Sequence, residues 1–393
     1  MSLPLAGVRV IEAAQIYAGP YCALQLGHFG AEVIKIEAPL TGDFLRQRPP
    51  APAGVNSGWL MFNPGKKSVT LNLRDARGRD ILMRLLESAD VMVENFAQGA
   101  LERLGLGYEQ LAPRFPRLIY ASCKGYGSDS RWAKLGALDF TVQAASGIVS
   151  VTGYADRPGV RATAALIDTS TGVHLAAGVM AALIERGRSG RGRKVEVAML
   201  DVTVPAVSGA IAAAREGRPA LARMGNRHPS ACPCNTYPAA DGEIQIYCLT
   251  EQHWRIFARV IGRADLLADA RYQDHASRYR IIEEVDALVV QWTRRYPRDD
   301  IVARLIAEGV PCAPVRTIDE VANDPELERR GLINRTEYPN RGEVSVLGSV
   351  IKLGEDGAAM ARPPELGEHT AEILAALGIS GGELEQLRRD GVI

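Results

Sequence analysis

The rhythm of the first 125 residues constrains the fold more than any other feature of the chain. Five short apolar runs recur there: "VRVIEAA" (8–14), "AEVIKIEA" (31–38), "KSVTLNL" (67–73), "DVMVENF" (90–96) and "RLIYASC" (117–123). Between them lie stretches with apolar residues at helical spacing: 19–30, then 75–89 with Asp75 as a candidate cap, then a segment from Glu109 to Arg114. Strand, helix, strand at this interval predicts an α/β fold with a doubly wound, parallel, Rossmann-like sheet. In such sheets ligands bind beyond the carboxyl ends of the strands. That rule points to residues 14–18, 95–96 and 124–126, and so to Lys124 as a candidate ligand-binding cation.

Two common uses of this fold lose support at once. The turn after the first strand reads "AAQIYAGP", without the Gly-x-Gly-x-x-Gly of a dinucleotide site. The "GKKS" at 65–68 lacks the earlier glycine of a phosphate-cradling loop and precedes a strand rather than a helix.

Hydrophobic residues make up 47% of the chain and charged residues 23%, which sets aside long disorder. Basic and acidic residues balance at 46 each, so no nucleic-acid partner is indicated. The opening "MSLPLAGVRVIEAAQ" has no signal-peptide pattern, and the uncharged apolar run from His174 to Ile184 is too short for a bilayer. A cytoplasmic protein without a membrane partner is the expectation. The six cysteines, Cys22, Cys123, Cys232, Cys234, Cys248 and Cys312, lack zinc-site spacing and read as free thiols; no metal is expected. The basic turn "RGRSGRGRK" (186–194) reads as a solvated face rather than a phosphate site.

The composition loosens near residue 206. A large domain is expected over 1–205, a linker over 206–225, a smaller α+β domain over 226–325, and a return to the large domain over 326–393. The small domain carries a strand at 243–249 and helices at 251–262, 285–296 and 299–309.

Asp168 stands where an apolar run meets the helical pattern "TSTGVHLAAGVMAALIE". Either Asp168 or Thr169 would serve as the helix cap. The same place suits chemistry, since a helix start lowers a carboxylate's pKa and an ionised Asp can attack an activated acyl group. The two roles are compatible.

Several stretches together resemble the class III coenzyme A transferases, the family containing the formyl-CoA:oxalate and carnitine CoA-transferases. They are "LPLAGVRVIEAAQIYAGPYCALQLGHFGAEVIKIEAP", "SVTLNLRDARGRDILMRLLESADVMVENFAQGALERLGLGYEQL", "ASCKGYG", "DTSTGVHLAAGVMAALIERGRSGRGRKVEVAMLD" and "LGEHTAEIL", in family order. The resemblance implies two ring-like subunits threaded into an interlocked homodimer. It implies Asp168 as the catalytic nucleophile, and CoA contacts at Ile16, Ala18, Leu71, Arg74, Asn95, Phe96 and Arg103. CoA and acyl-CoA are then substrates, with no tightly bound cofactor. Arg74 and Arg103 have the donors for CoA phosphates, and equally suit a helix surface.

The resemblance has departures. A well-known family member has Gln at the position of Tyr17 and Arg at that of Ala38. A related racemase pairs the aspartate with a histidine in a Gly-His-Asp triplet, where this chain reads Gly-Ala-Leu-Asp with Leu138 in the histidine's place. Leucine cannot take a proton, so an acyl-CoA racemase or isomerase stands as the alternative and a transferase as the reading. The acceptor is expected to be a small carboxylic acid, specifically a four- to six-carbon dicarboxylate such as itaconate, mesaconate or glutarate, with succinyl-CoA as donor. Tyr17, Arg46, Arg48, Arg227 and His228 are its candidate ligands; the two loop pairs are equally readable as solvated residues. Arg227 and His228 lie on "GNRHPSAC" (225–232), which matches in position the family's loop over the nucleophile or is an ordinary interdomain loop.

Overall fold

The computed structural model describes residues 3–48, 56–219, 222–353 and 361–393. The chain divides into two compact units: unit 1 is 1–148, 161–219 and 325–393; unit 2 is 149–160 and 220–324.

Unit 1 opens with β1 (Arg9–Ala13), α1 (Ala18–His28), β2 (Glu32–Glu37), α2 (Ser57–Phe62), β3 (Lys67–Thr70) and α3 (Ala76–Leu86). It continues through β4 (Val91–Glu94), α4 (Tyr108–Leu111), β5 (Ile119–Lys124) and α5 (Asp139–Ala145). Helix α6 (Ile148–Val151) lies where the chain passes between units. Then come α7 (Leu166–Ser189), β6 (Lys194–Ala198) and α8 (Ser208–Arg215). The six strands form one parallel sheet in the order β3-β2-β1-β4-β5-β6. The strands form because their apolar runs are covered on both faces: Val10, Ile11, Val91, Met92 and Val93 are fully buried. Each such side chain contributes about 1.5–3 kcal/mol.

Asp75 caps α3 through its bond from the Arg77 N–H, as its position predicts. Helix α7 is long and apolar enough, by length and composition, to cross a membrane, which exceeds the shorter run read from sequence. In the fold it packs on α1: a Cβ at Gly172 would stand 2.7 Å from the Ala18 carbonyl oxygen, so only glycine permits the approach. The basic turn follows its C-terminus, with Arg186 paired to Asp90 at 2.8 Å and Arg193 to Glu185 at 2.8 Å.

Unit 2 holds β7 (Cys234–Pro238), β8 (Glu243–Tyr247), α9 (Glu251–Val260), α10 (His275–Arg280), α11 (Ile282–Thr293), α12 (Arg298–Ala307), β9 (Cys312–Pro314) and α13 (Ile318–Ala322). Its antiparallel sheet β7-β8-β9 packs its apolar face on Trp254, Phe257 and Trp292. The chain returns to unit 1 with α14 (Pro325–Arg329), the hairpin β10 (Ile333–Tyr338) and β11 (Gly342–Leu347), α15 (Thr370–Ala376) and α16 (Gly382–Arg389).

The expected linker over 206–225 needs correction. It carries α8 and belongs to unit 1 up to Pro219, while 149–160 belongs to unit 2. Ala-rich "AIAAA" holds a helix because alanine loses little entropy there. Residues 220 and 221 of that span lie outside the described residues.

Candidate active site

Strand order reverses between β1 and β4, and the two carboxyl ends are clamped together there. The Gln15 N–H donates to Asn95 Oδ1 at 2.8 Å, and Asn95 Nδ2 donates back to the Gln15 carbonyl at 2.7 Å. Gly19 makes the clamp possible, since a Cβ there would lie 2.5 Å from the Ala14 Cβ. Ile16, which follows Gln15, has φ of 68°, costly for a β-branched side chain. Its N–H is held by Asp43 Oδ1 at 3.2 Å.

A buried ionic network fixes Asp43 in turn. Lys35 Nζ reaches Glu12 at 2.7 Å, Asp43 at 2.9 Å and the Ala14 carbonyl at 2.8 Å, while Lys66 reaches Glu12 at 2.7 Å. Glu12 and Lys35 face each other in the β1–β2 register. Burial lowers the Lys66 ammonium to about 8, with Lys35 adding to it against the opposing pull of Glu12.

Beyond this clamp lies a cavity of about 240 Å³ lined by Ile16, Tyr17, Ala18, Asn95, Phe96, Gln98, Lys124, Leu138 and Asp168. A second, of about 550 Å³, is lined by Ile36, Ala38, Leu71, Arg74, Phe96 and Leu101 among others. Phe96 borders both. Sequence-predicted residues from four separate stretches thus meet at the switch point.

The first turn of α7 carries the central group. Asp168 is its third residue and does not cap it, nor does Thr169, whose hydroxyl donates to the Ala165 carbonyl at 2.9 Å. The cap arrives from α5: Asp139 Oδ2 accepts from the Ile167 N–H at 2.8 Å and the Asp168 N–H at 3.1 Å. Gln143 Nε2 donates to the other Asp139 oxygen at 2.6 Å, and Gln143 Oε1 accepts from the Ala162 N–H at 2.9 Å. Among the described residues, no cation and no hydrogen-bond donor reaches the Asp168 carboxylate. Burial pushes that carboxyl up to about 7, and the Asp139 charge adds to the rise. The lowered pKa expected from the helix start is therefore corrected: removal from water and a like charge outweigh the end of the helix.

Lys124 is 8% exposed, and its ammonium is taken up by Glu94 at 2.8 Å and the Phe96 carbonyl at 2.9 Å. It braces the 94–98 loop, because Glu94 also accepts from the Phe96 N–H at 2.9 Å. Arg74 is exposed at the larger cavity, and no partner for its guanidinium is found among the described residues. Arg103 is exposed and lines neither cavity.

The substrate role expected of Arg46 is not compatible with its surroundings. It is 6% exposed, bidentate to Glu37 at 2.7 Å and stacked 3.6 Å over the Trp59 ring. Burial raises the Glu37 carboxyl, and Arg46, Lys35 and Ser68 overcome this to hold it down at about 2. Arg48 is exposed, 5.2 Å over the Phe44 ring. In unit 2, Arg227 pairs with Asp286 at 2.7 Å and Glu283 at 2.8 Å, and the His228 ring lies on Tyr247 at 5.6 Å.

Three features escape the sequence reading: Asp139, Gln143 and the buried network. A signal existed for the last, because Glu12 and Lys35 interrupt otherwise apolar strands. Among the described residues, no cluster of His, Cys, Asp and Glu is arranged to hold a metal.

Comparison with known proteins places the whole chain in one family. The profile of CoA-transferase family III matches residues 5–370. Formyl-CoA:oxalate CoA-transferases of Escherichia coli and Shigella dysenteriae are 31% identical, with all of both chains covered. A CaiB/BaiF family protein from Brucella suis superposes with a TM-score of 0.85 at 33% identity, covering 96% of this chain and 100% of that one. Rv3272 from M. tuberculosis gives 0.82 at 30% identity, covering 94% and 98%. The match runs through the sheet, the clamp and the Asp168 helix alike, and the chain belongs to CoA-transferase family III.

Proposed function

We propose that this CoA-transferase works through Asp168 as a covalent nucleophile. The observation that carries the reading is the Asp168 carboxylate itself, which lines the smaller cavity with no cation or donor among the described residues to blunt it. A carboxylate whose proton affinity is raised is the stronger nucleophile once ionised.

The Asp168 oxygen attacks the donor thioester carbonyl, giving a mixed anhydride and CoA thiolate. The thiolate attacks the aspartyl carbonyl, forming an aspartyl-CoA thioester and releasing the donor acid. An acceptor carboxylate then attacks that thioester, breaking its C–S bond, expelling CoA thiolate and forming a second anhydride. The returning thiolate takes the acceptor's acyl group and frees Asp168. Charge balances at each step, and the cavity must exclude water because either anhydride hydrolyses.

Acyl-CoA occupies the two cavities in this reading, with the thioester beside Asp168 and the remainder toward Ile36, Leu71, Phe96 and Arg74. Arg74 is a candidate for a CoA phosphate because its guanidinium, exposed at the larger cavity, has no partner among the described residues. Arg103 is kept only as an exposed candidate beside it. The acceptor is a small dicarboxylate, such as itaconate, mesaconate or glutarate, with succinyl-CoA as donor. Support comes from the lining of the smaller cavity, which offers Tyr17, Asn95 and Gln98 as polar groups for a small acid. Gln98 Oε1 is buried with no partner among the described residues, so its amide is available to a ligand. Arg46 is left out of this role. Arg48, Arg227 and His228 remain candidates without a contact to support them.

No histidine lines either cavity among the described residues, which favours transfer over two-base racemisation. A homodimer is proposed on the family likeness and on Leu166, Val173, Ile184 and Val204, large apolar side chains left exposed on unit 1. Sedimentation at nanomolar concentration showing an active monomer would contradict it.

The test is to incubate the protein with succinyl-CoA and hydroxylamine and to map the modified peptide by mass spectrometry. Hydroxamate at Asp168 is the expected outcome; modification confined to another residue overturns the reading. Acceptors are then compared: succinate, itaconate, glutarate and oxalate against butyrate and carnitine. A monocarboxylate preferred tenfold removes the dicarboxylate assignment.

A further inference from the structure

We propose that Asp139 is a positioning and charge-tuning residue for the nucleophile, capping α7 from α5 so that the Asp168 carboxylate stays free while a second negative charge is held beside it. The inference rests on the reading of Asp168 as nucleophile. It assigns the work of orienting and poising that group to a residue outside its helix.

The geometry gives Asp139 two tasks at once. An ordinary cap belongs to the residue just before its helix, and here that residue is Ala165, which has no side-chain acceptor. Had Asp168 or Thr169 folded back on the open N–H groups, the Asp168 oxygens would be engaged or shielded. Asp139 instead satisfies two of those N–H groups across separations of 28 and 29 residues, the second being Asp168's own. The Asp168 backbone is thereby tied to the cap, and its side chain is left to the cavity.

Asp139 is itself locked. It is 6% exposed, and its second oxygen accepts from Gln143, which is 2% exposed and bonded to the Ala162 backbone through both its amide atoms. The cap therefore cannot swing away without breaking the Gln143 bonds and uncapping α7.

The same placement puts two carboxylates together with no cation among the described residues paired to Asp168. A neutral cap such as Ser or Asn would satisfy the same N–H groups, so capping alone does not require an acid. The groups that face Asp168 from neighbouring elements do not offset the charge. Tyr17 at the start of α1 has its hydroxyl pKa raised by burial and then by Asp168, and Asp43 adds to that. Cys123 on β5 is pushed up by burial and by Asp168. Lys124, the cation on the cavity wall, is already held by Glu94 and the Phe96 carbonyl. Among the described residues Asp139 is the charged group that acts on Asp168, and it acts in the same direction as burial.

The test titrates full-length protein labelled with carbon-13 at the aspartate Cγ, without ligand, by NMR. Asp168→Asn assigns the Asp168 signal. The wild-type signal should titrate near 7. In Asp139→Asn or Asp139→Ser, which keep a neutral cap, it should move down by roughly one pH unit. The acid limb of kcat/KM should move with it, a readout that loss of helix stability alone does not shift. Two variants are used so that a misfolded one leaves the other to decide. An Asp168 that titrates alike in wild type and in either folded variant overturns the proposal. So does a wild-type Asp168 that titrates near about 4, the ordinary value. Hydroxylamine trapping separates this from the reading beneath it. A shift without an adduct leaves Asp139's electrostatic role standing and removes the covalent mechanism, and an adduct without a shift does the reverse.

Discussion

The carboxyl end of β1 and the first turn of α7 each shelter acidic side chains from water, and they treat them in opposite ways. Glu12 is fully buried between two lysines at 2.7 Å each, with Asp43 joined to the same ammonium. Asp168 is half-buried beside another carboxylate, and no cation reaches it among the described residues. A buried charge without compensation costs several kcal/mol, whereas a paired and hydrogen-bonded one is tolerated. The network at β1 therefore serves geometry: it holds the Ile16 turn and the cavity wall. The α7 site keeps its carboxylate at high free energy, where chemistry can use it. Acidity in a crevice does not by itself separate a structural carboxylate from a candidate nucleophile; its partners do.

The comparison breaks if the two sites respond alike to mutation. Asp168→Ala should abolish transfer by roughly a thousandfold or more while leaving the fold intact, measured as kcat/KM against circular dichroism. Lys35→Met should do the opposite kind of damage, lowering stability by about 3–5 kcal/mol because Glu12 and Asp43 lose their shared cation; thermal unfolding measures it. Arg46→Met should behave like Lys35→Met, leaving the Glu37 carboxylate buried without its fork. A selective rise in the KM for the acceptor, with stability unchanged, would instead restore Arg46 as a substrate ligand.

Arg74→Ala sharpens the comparison, since an exposed cation without a partner among the described residues should matter for binding alone. The KM for acyl-CoA should rise by about tenfold, as loss of a charge-assisted bond implies, with the melting temperature unmoved.

The smallest effect concerns stability against pH. The folded Asp168 holds its proton to about 7, well above the unfolded value of about 4. The native state therefore binds the proton more tightly. This stabilising contribution is full below the unfolded value and is lost as pH rises through about 7. Asp168→Asn should thus be more stable than wild type at pH 8, with little difference at pH 4, as thermal unfolding at the two pH values would measure. Activity runs the other way: kcat/KM should fall as pH drops through about 7, because only the ionised Asp168 attacks.

Much of the fold was legible because β1, β2, β4 and β5 are short apolar runs at a steady interval. The clamp region was legible too, since ligands sit beyond the strand ends in such sheets. Asp168 could be located at a helix start, yet its cap was misassigned. Capping patterns look within three residues, and Asp139 is 29 away. Arg46 was misread for a related reason. Its partner Glu37 ends β2, and only the turn between them, closed by the Glu37 bond to the Asp43 N–H at 2.9 Å, brings fork and carboxylate together. A charged loop residue looks solvated until the backbone folds it inward.

The most direct measurement follows the oxygen atoms. In the proposed sequence one Asp168 oxygen departs with the donor acid, and one acceptor oxygen remains on Asp168 when CoA leaves with the acceptor. Running turnover with an acceptor labelled with oxygen-18 in its carboxylates, in ordinary water, should place the label in the Asp168 peptide, read by mass spectrometry after digestion. Asp139→Asn should still incorporate it at high pH. Full turnover with no label on Asp168 would contradict covalent transfer through this residue.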